Sequence, residues 1–272
     1  VDLGKSITVN GGLSALHALG VVFVVVGFAF KVSAVPFHTW APDTYEGAPS
    51  PITAFLSVAS KAAGFIALVT LLFVAFPEAS SVWQPFIWVL SALTMTVGNV
   101  VALRQTNVVR MIAYSSISQG GFVLMPLAVA GMAGVGESAL RAVVVYLLIY
   151  AATNLGMFAV MIAVSRKTRS GSVASFGGLF SYAPGLGALA TIFLASLAGI
   201  PPLGGWIGKF AAFQTLISAG TGWAYGLALI GAVNSVIAFG YYGNMMREIW
   251  MKPAPHGDVT PIRTPGSLAL AL

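Results

Sequence analysis

Long apolar runs, separated by clusters of glycine, proline and charge, set the plan of this chain. Runs bounded in this way lie near residues 13–40, 52–76, 84–103, 108–130, 139–165, 184–218 and 222–247. Each reaches roughly the 20 apolar residues that an α-helix needs to cross the hydrocarbon of a bilayer. A transmembrane β-strand alternates polarity over about ten residues, whereas these runs are uniformly apolar over longer stretches, so the pattern excludes a barrel. The predicted fold is all-α, a polytopic transmembrane helix bundle of about seven spans forming a single domain over residues 1–272.

The sixth run holds Gly199, Pro201, Pro202, Gly204 and Gly205, too many breakers for one continuous helix, and predicts two half-helices. Non-helical backbone at membrane depth survives only where protein or a water-filled cavity satisfies its polar groups, so the break predicts a buried polar site. Lys209 lies one to two turns beyond it. The first run carries a weaker version, with Pro36 five residues after Lys31.

Composition agrees with the pattern. Hydrophobic residues make up 58% and charged residues 7%, too apolar for a soluble domain. The net charge of +6 lies mostly in loops, where it orients helices and implies no nucleic-acid partner. The loops after the first, third, fifth and seventh spans hold Arg104, Arg110, Arg166, Lys167, Arg169, Arg247, Lys252 and Arg263, against Lys5 and Arg141 on the other side. That bias puts the first group in the cytoplasm and supports an odd number of spans. The segment 41–51, read as a loop on the same side, carries Asp43 and Glu46 with no basic residue, so something other than topology placed them there. The absence of cysteine excludes disulfides and thiolate-held clusters in this chain. No phosphate loop, metal-ligand cluster or nucleophile triad is present, and no bond-changing chemistry is expected of these residues. The first residue is Val1, and apolar character resumes at 267–272, so the sequence reads as a piece of a longer chain.

Lys31, Lys61 and Lys209 stand inside otherwise apolar runs, while Asp2, Asp43, Glu46, Glu78, Glu137, Glu248 and Asp258 all fall outside them. The membrane core is cationic without a counter-charge. Holding a lysine charged at mid-bilayer costs about 2.5–3.5 kcal/mol on insertion scales. Neutralising it at pH 7 costs roughly 4.6 kcal/mol from a reference value near 10.4. The two costs are close, so a change in nearby charge can switch such a lysine between its two states, as a proton relay requires. A single intramembrane lysine is as readily explained by snorkelling or by a structural ion pair. Three on different helices favour the relay, and Lys61 lies mid-span with Ser57 and Ser60 on neighbouring turns. Lys31 is placed at the centre of a run of about 28 residues.

His38 follows Pro36 near the cytoplasmic end of the first run, and histidine titrates where protons pass between water and protein. A hydrogen-bonded interfacial ring is its structural alternative. His17 reads as packing and His256 as a loop residue. Tyr114, Ser115, Ser116, Ser118 and Gln119 form a polar stripe on the fourth run, suited to holding ordered water or to bonding between helices.

The run from Phe30 through Lys31, Pro36, Phe37, His38, Thr39, Trp40, Pro42, Asp43, Tyr45, Glu46 and Pro49 to Pro51 closely resembles the signature of the antiporter-like subunits of respiratory complex I, NADH:quinone oxidoreductase. Ala59-Ser60-Lys61 follows in that family's order. So do Gln105 to Arg110, Tyr114 to Ser118, Leu197 to Pro202 and Gly208-Lys209-Phe210, and the similarity covers nearly the whole chain. Within the family the wording is most similar to the subunit N branch, with the L and M branches as near alternatives.

The resemblance implies a fourteen-helix, antiporter-like fold with broken helices, of which this chain supplies the seventh through thirteenth and the start of the fourteenth. It implies proton transfer through Lys31, Lys61 and Lys209, and a glutamate outside this sequence facing Lys31. Many relatives have a histidine where this chain has Gln119, which can hold water but cannot carry a proton at neutral pH.

The expected function is that of a proton-translocating membrane subunit with uptake near His38 and no cofactor of its own. NADH, FMN, iron–sulfur clusters and quinone belong to other subunits. Antiporter-like subunit M, small subunit K and the lipid bilayer are the expected partners, and a bacterial plasma membrane the expected location. A subunit of a multisubunit cation/proton antiporter and a non-transporting scaffold are the rivals.

Overall fold

The computed structural model describes residues 8–9, 12–13, 15–262 and 266. Asp2, Lys5, Ser14, Arg263 and the apolar stretch 267–272 lie outside the described residues, as does the side chain of His256. A two-residue antiparallel ribbon, β1 (Thr8–Val9) with β2 (Gly12–Leu13), pairs Thr8 with Leu13 and Val9 with Gly12. The other regular elements are helical.

The helices are α1 (Ala15–Lys31), α2 (Trp40–Gly47), α3 (Ser50–Phe55), α4 (Lys61–Thr70), α5 (Ser80–Ala102), α6 (Val108–Leu124), α7 (Gly136–Thr168), α8 (Leu179–Tyr182), α9 (Pro184–Ala198), α10 (Gly204–Ala219) and α11 (Gly222–Met251). A wide turn at Leu56–Ser60 joins α3 to α4, and the continuous segment Ser50–Ala75 is one span. Five segments are long and apolar enough to cross a membrane unaided: Ser50–Ala75, Pro77–Ala102, Val108–Val129, Gly136–Thr168 and Gly222–Met251. Shorter apolar helices are α1 and α9, and α9 is followed across a short non-helical link by α10. The chain is a multi-pass membrane protein.

Two expectations need correction. Residues 40–47 are helix, not loop, so Asp43 and Glu46 stand on α2. Lys31 is the last residue of α1 and not the centre of a continuous helix. The helix stops there because Ser33 takes a left-handed backbone (φ 61°) and Pro36 cannot continue an α-helical hydrogen-bond ladder. The backbone freed by the break is satisfied sideways, Val35 N donating to Thr94 Oγ1 on α5 at 2.9 Å.

The basic loops gather at one end, as the charge bias requires. Val108 N donates to Gly171 O and Val173 N to Thr106 O, both at 2.8 Å, and Gly178 N donates to Glu248 O at 3.0 Å. At the other end Trp88 Nε1 donates to Trp223 O at 2.8 Å, and Arg141 pairs with Glu137. Helix α6 runs through the middle, with 94% of its spanning window enclosed by its neighbours. Ser115, Ser116, Ser118 and Gln119 of the polar stripe are buried on it, and Tyr114 is half-buried. Close approach of α5 depends on Gly98, where a Cβ would sit 2.7 Å from Ser118 N.

Candidate functional site

Lys61 opens α4 immediately after the wide turn, and such turns inside helices recur where function redirects a side chain. It is 4% exposed. Its ammonium donates to both the carbonyl oxygen and the hydroxyl of Ser116 on α6, each at 2.7 Å. Tyr150 on α7 donates to the same hydroxyl at 2.7 Å, so one serine links the lysine to a phenol. Tyr150 also reaches Ser57 O at 3.3 Å, and Asn154 Nδ2 donates to Ser57 Oγ at 2.8 Å. Ser57 therefore faces α7, and Ser60 turns outward to accept from Lys31 Nζ at 3.0 Å. Neither serine bonds Lys61.

Lys209 sits on α10 and is 5% exposed. Its ammonium turns back across the break to Ala198 O at 2.8 Å and lies 4.6 Å from the centroid of the Phe122 ring. Ala198 ends α9, so a cation meets carbonyls at the negative end of a half-helix dipole. Gly199 makes this possible: its φ is +91°, and a Cβ there would come 2.8 Å from Lys209 Cδ. Gly205 lets the half-helices meet, since a Cβ would overlap the Ser196 carbonyl. Pro201 and Pro202 lie between, in the non-helical link.

Gln119 on α6 stands between the two lysines. Its Nε2 donates to Leu197 O at 2.9 Å and to Tyr242 OH at 3.1 Å, while its Oε1 accepts from Tyr146 OH at 2.5 Å. Tyr242 OH in turn meets Ser115 Oγ at 2.5 Å. A cavity with about 10 Å³ open to the centre of a water molecule is lined by Gln119, Tyr146, Tyr150, Ser196, Gly205 and Gly208 among others. That is the size of about one water, and the polar atoms of Gln119, Tyr146 and Tyr150 around it are already bonded within the protein. It adjoins the Lys61 side through Tyr150 and the Lys209 side through Gly208.

Among the described residues no carboxylate pairs with any of the three lysines; the ion pairs are those of Arg110, Arg141 and Lys167. Lys31 differs from the other two, because its side chain is exposed at the surface of the chain. His38 is half-buried with its ring edge-on to Tyr114 at 6.5 Å. Ser118 Oγ is buried with no hydrogen-bond partner among the described residues. Asp43 and Glu46 find their explanation in Arg110, whose Nη1 meets Asp43 Oδ1 at 2.9 Å and Glu46 Oε2 at 2.7 Å. Asn107 adds a bond to Glu46 Oε1 at 3.0 Å, so α2 is clamped to the start of α6.

Sequence reasoning missed Tyr146, Tyr150, Asn154 and Tyr242. The first three recur every fourth residue on one face of an otherwise apolar helix, a spacing that marks a shared polar stripe. Tyrosine counts as apolar in composition, which concealed it.

A family model for the transmembrane part of NADH:quinone oxidoreductase and Mrp antiporters matches residues 3–238. The chain is 41% identical over 266 residues to NADH-quinone oxidoreductase subunit N of Trichlorobacter lovleyi, covering 97% of this chain and 53% of that protein. It is 45% identical over 248 residues to NAD(P)H-quinone oxidoreductase subunit 2 of Gloeothece citriformis, covering 91% and 47%. The chain spans about half the length of the curated relatives it matches. A chain of respiratory complex I from Thermus thermophilus, solved with bound aureothin, superposes with a TM-score of 0.79 at 31% identity, over 99% of this chain and 58% of that one. A chain of the Mrp complex from a Dietzia species has a TM-score of 0.80 at 22% identity, over 90% and 44%, a likeness of fold.

Proposed function

Because the chain belongs to the NADH:quinone oxidoreductase/Mrp antiporter transmembrane family, we propose that it is part of a proton-translocating membrane subunit of NADH:quinone oxidoreductase, of the subunit N type. One observation carries the proposal. Lys61 and Lys209 are buried on different helices, each held by neutral oxygens alone, with a hydroxyl, amide and one-water cavity between them.

An ammonium bonded only to carbonyl and hydroxyl oxygens has no fixed counter-charge to lock its proton. Its occupancy then follows the charge of its neighbours. Protonation of one lysine raises the cost of protonating the next, and a proton moves on through Ser116, Tyr150 and a water admitted beside Gln119. Moving one charge against a membrane potential costs about 2.3 kcal/mol per 100 mV, a little under two pK units of change in affinity per stroke. Uptake begins near His38 and Lys31, and release follows Lys209. Redox chemistry, with NADH, FMN, iron–sulfur clusters and quinone, takes place in other subunits, and this chain carries no cofactor. It occupies a bacterial plasma membrane beside antiporter-like subunit M and small subunit K, and supplies the seventh through thirteenth helices of its subunit and the start of the fourteenth.

The test is Lys61→Met and Lys209→Met in the complete complex, reading proton uptake by vesicles alongside NADH oxidation. A lower proton-to-electron ratio is expected in both. Unchanged ratios with reduced assembly select a scaffold, and sodium-dependent transport without NADH-linked activity selects a cation/proton antiporter.

A further inference from the structure

At the basic end of the bundle a cavity of about 340 Å³ lies between the end of α7, α8 and the segment after α11. Lys167, Ser170, Ser172, Tyr182 and Asp258 supply its polar wall. It lies far from Gln119 and plays no part in the lysine path.

Hydrogen-bond accounting shows what it lacks. Ser170 Oγ accepts from Ser172 N at 3.1 Å, and Ser172 Oγ accepts from Ala174 N at 3.2 Å. Both hydroxyl protons are left without an acceptor among the described residues. Tyr182 is 5% exposed, and its buried hydroxyl has no hydrogen-bond partner. Lys167 Nζ lies 4.0 Å from the centroid of the Tyr182 ring and donates to the carbonyl oxygens of Asp258, at 3.2 Å, and Thr260. That leaves one of its three protons, which Asp258 Oδ1 at 3.6 Å shares with the cavity. Three hydroxyl donors and part of an ammonium therefore border one space, the Tyr182 hydroxyl buried and the two serine hydroxyls part-exposed, and such a set of donors suits an oxygen-rich anion.

Asp258 adds the opposite pole. One carboxylate oxygen is taken by Thr260 N at 2.9 Å and Thr260 Oγ1 at 2.6 Å, and stands 3.6 Å from Lys167 Nζ. The other has no partner among the described residues and is open to a cation. The hydrogen bonds from Thr260 hold this carboxyl below its usual range, so it stays charged. Burial, and then the charge of Asp258, pushes the Tyr182 phenol up, so it stays a donor.

The level of the cavity identifies the source of such a ligand. Helix α7 has 33 residues, so it is about 50 Å long and outreaches the roughly 30 Å hydrocarbon layer. Its basic end, with Arg166, Lys167 and Arg169, belongs in the headgroup layer. Trp250, 47% exposed and stacked on Phe180 at 3.9 Å, flanks the same end and marks the interface as tryptophan does in membrane proteins.

We propose that this cavity binds the headgroup of an aminophospholipid, its phosphate on Lys167, Ser170, Ser172 and Tyr182 and its ammonium on Asp258. The recognised chemistry, a phosphate ester bearing an amine, is shared by free phosphoethanolamine, and the test separates the two.

The complete complex, delipidated in detergent, is titrated with phosphatidylethanolamine, phosphatidylglycerol, phosphoethanolamine or inorganic phosphate, and bound molecules are counted by native mass spectrometry. Phosphatidylethanolamine should occupy one site that Tyr182→Phe weakens about tenfold, since that variant removes one hydroxyl and keeps the ring on Lys167. Asp258→Asn should weaken phosphatidylethanolamine several-fold and spare phosphatidylglycerol. Lipid binding unchanged by Tyr182→Phe overturns the proposal and leaves a water-filled cavity. Inorganic phosphate or phosphoethanolamine binding as tightly as the lipid overturns its membrane source.

Discussion

The two helix breaks handle their lysines in opposite ways. At the second break, Lys209 lies on the half-helix beyond the gap and turns back to Ala198 O, enclosed by Phe122 and the glycine at 199. At the first, Lys31 ends the half-helix before the gap, and its exposed ammonium donates to Ser60 on the next span. Both gaps contain proline and irregular backbone, so the break alone does not decide whether a lysine is enclosed. What decides it is the side of the gap on which the lysine stands and the residue facing it. The second lysine is enclosed by this chain's own residues. The first presents its charge at the surface of the chain.

Substitutions can break or sharpen this contrast. The largest effect is expected from Gly205→Ala. Its Cβ would overlap the Ser196 carbonyl and force α9 and α10 apart, costing about 3 kcal/mol by overpacking. Thermal melting and yield of the assembled complex should both fall. Next comes Gly199→Ala, which places an alanine at φ +91° and its Cβ 2.8 Å from Lys209 Cδ. About 1–2 kcal/mol of backbone strain is expected, with slower proton uptake because the lysine is displaced.

Arg110→Ala addresses the first break, where it releases α2 from α6. Its ion pairs are partly exposed, with side-chain exposures of 31% for Arg110 and 40% for Glu46, so about 1 kcal/mol is expected. That loss should shrink when the comparison is repeated at high salt. Ser60→Ala is the smallest, below about 0.5 kcal/mol in melting because the bond is exposed. A large stability loss from Ser60→Ala would mean that Lys31 is as enclosed as Lys209, and the contrast would fail.

Much of the fold was legible because run length alone separates membrane helices from other structure. The second break was legible in the same way, since Gly199, Pro201, Pro202, Gly204 and Gly205 leave no other reading. The first was read only in part. Val32, Ala34, Val35 and Phe37 are as apolar in the break as they would be in a helix, so periodicity carried the helix past Lys31. Lys61 and Lys209 were legible as charges in apolar surroundings. The partner of Lys209 was not, because Ala198 acts through its backbone carbonyl, which sequence does not distinguish, while Ser116, read as part of the polar stripe, meets Lys61 through both its carbonyl and its hydroxyl. Asp43 and Glu46 stood out as an anomaly of charge, but Arg110 lies more than sixty positions away, beyond any local pattern. Gln119 was identified as a place for water. Its fixing by Tyr146 and Tyr242 required the packing of α7 and α11 against α6.

The central claim is that a buried lysine changes its charge during turnover. The direct measurement is the ¹⁵N signal of the Lys61 side-chain nitrogen in the complete complex, recorded at rest and during steady NADH oxidation, with Lys61→Met used to assign it. The account predicts two signals, ammonium and amine, whose populations shift with turnover. A single signal, unchanged between the two conditions, would contradict it.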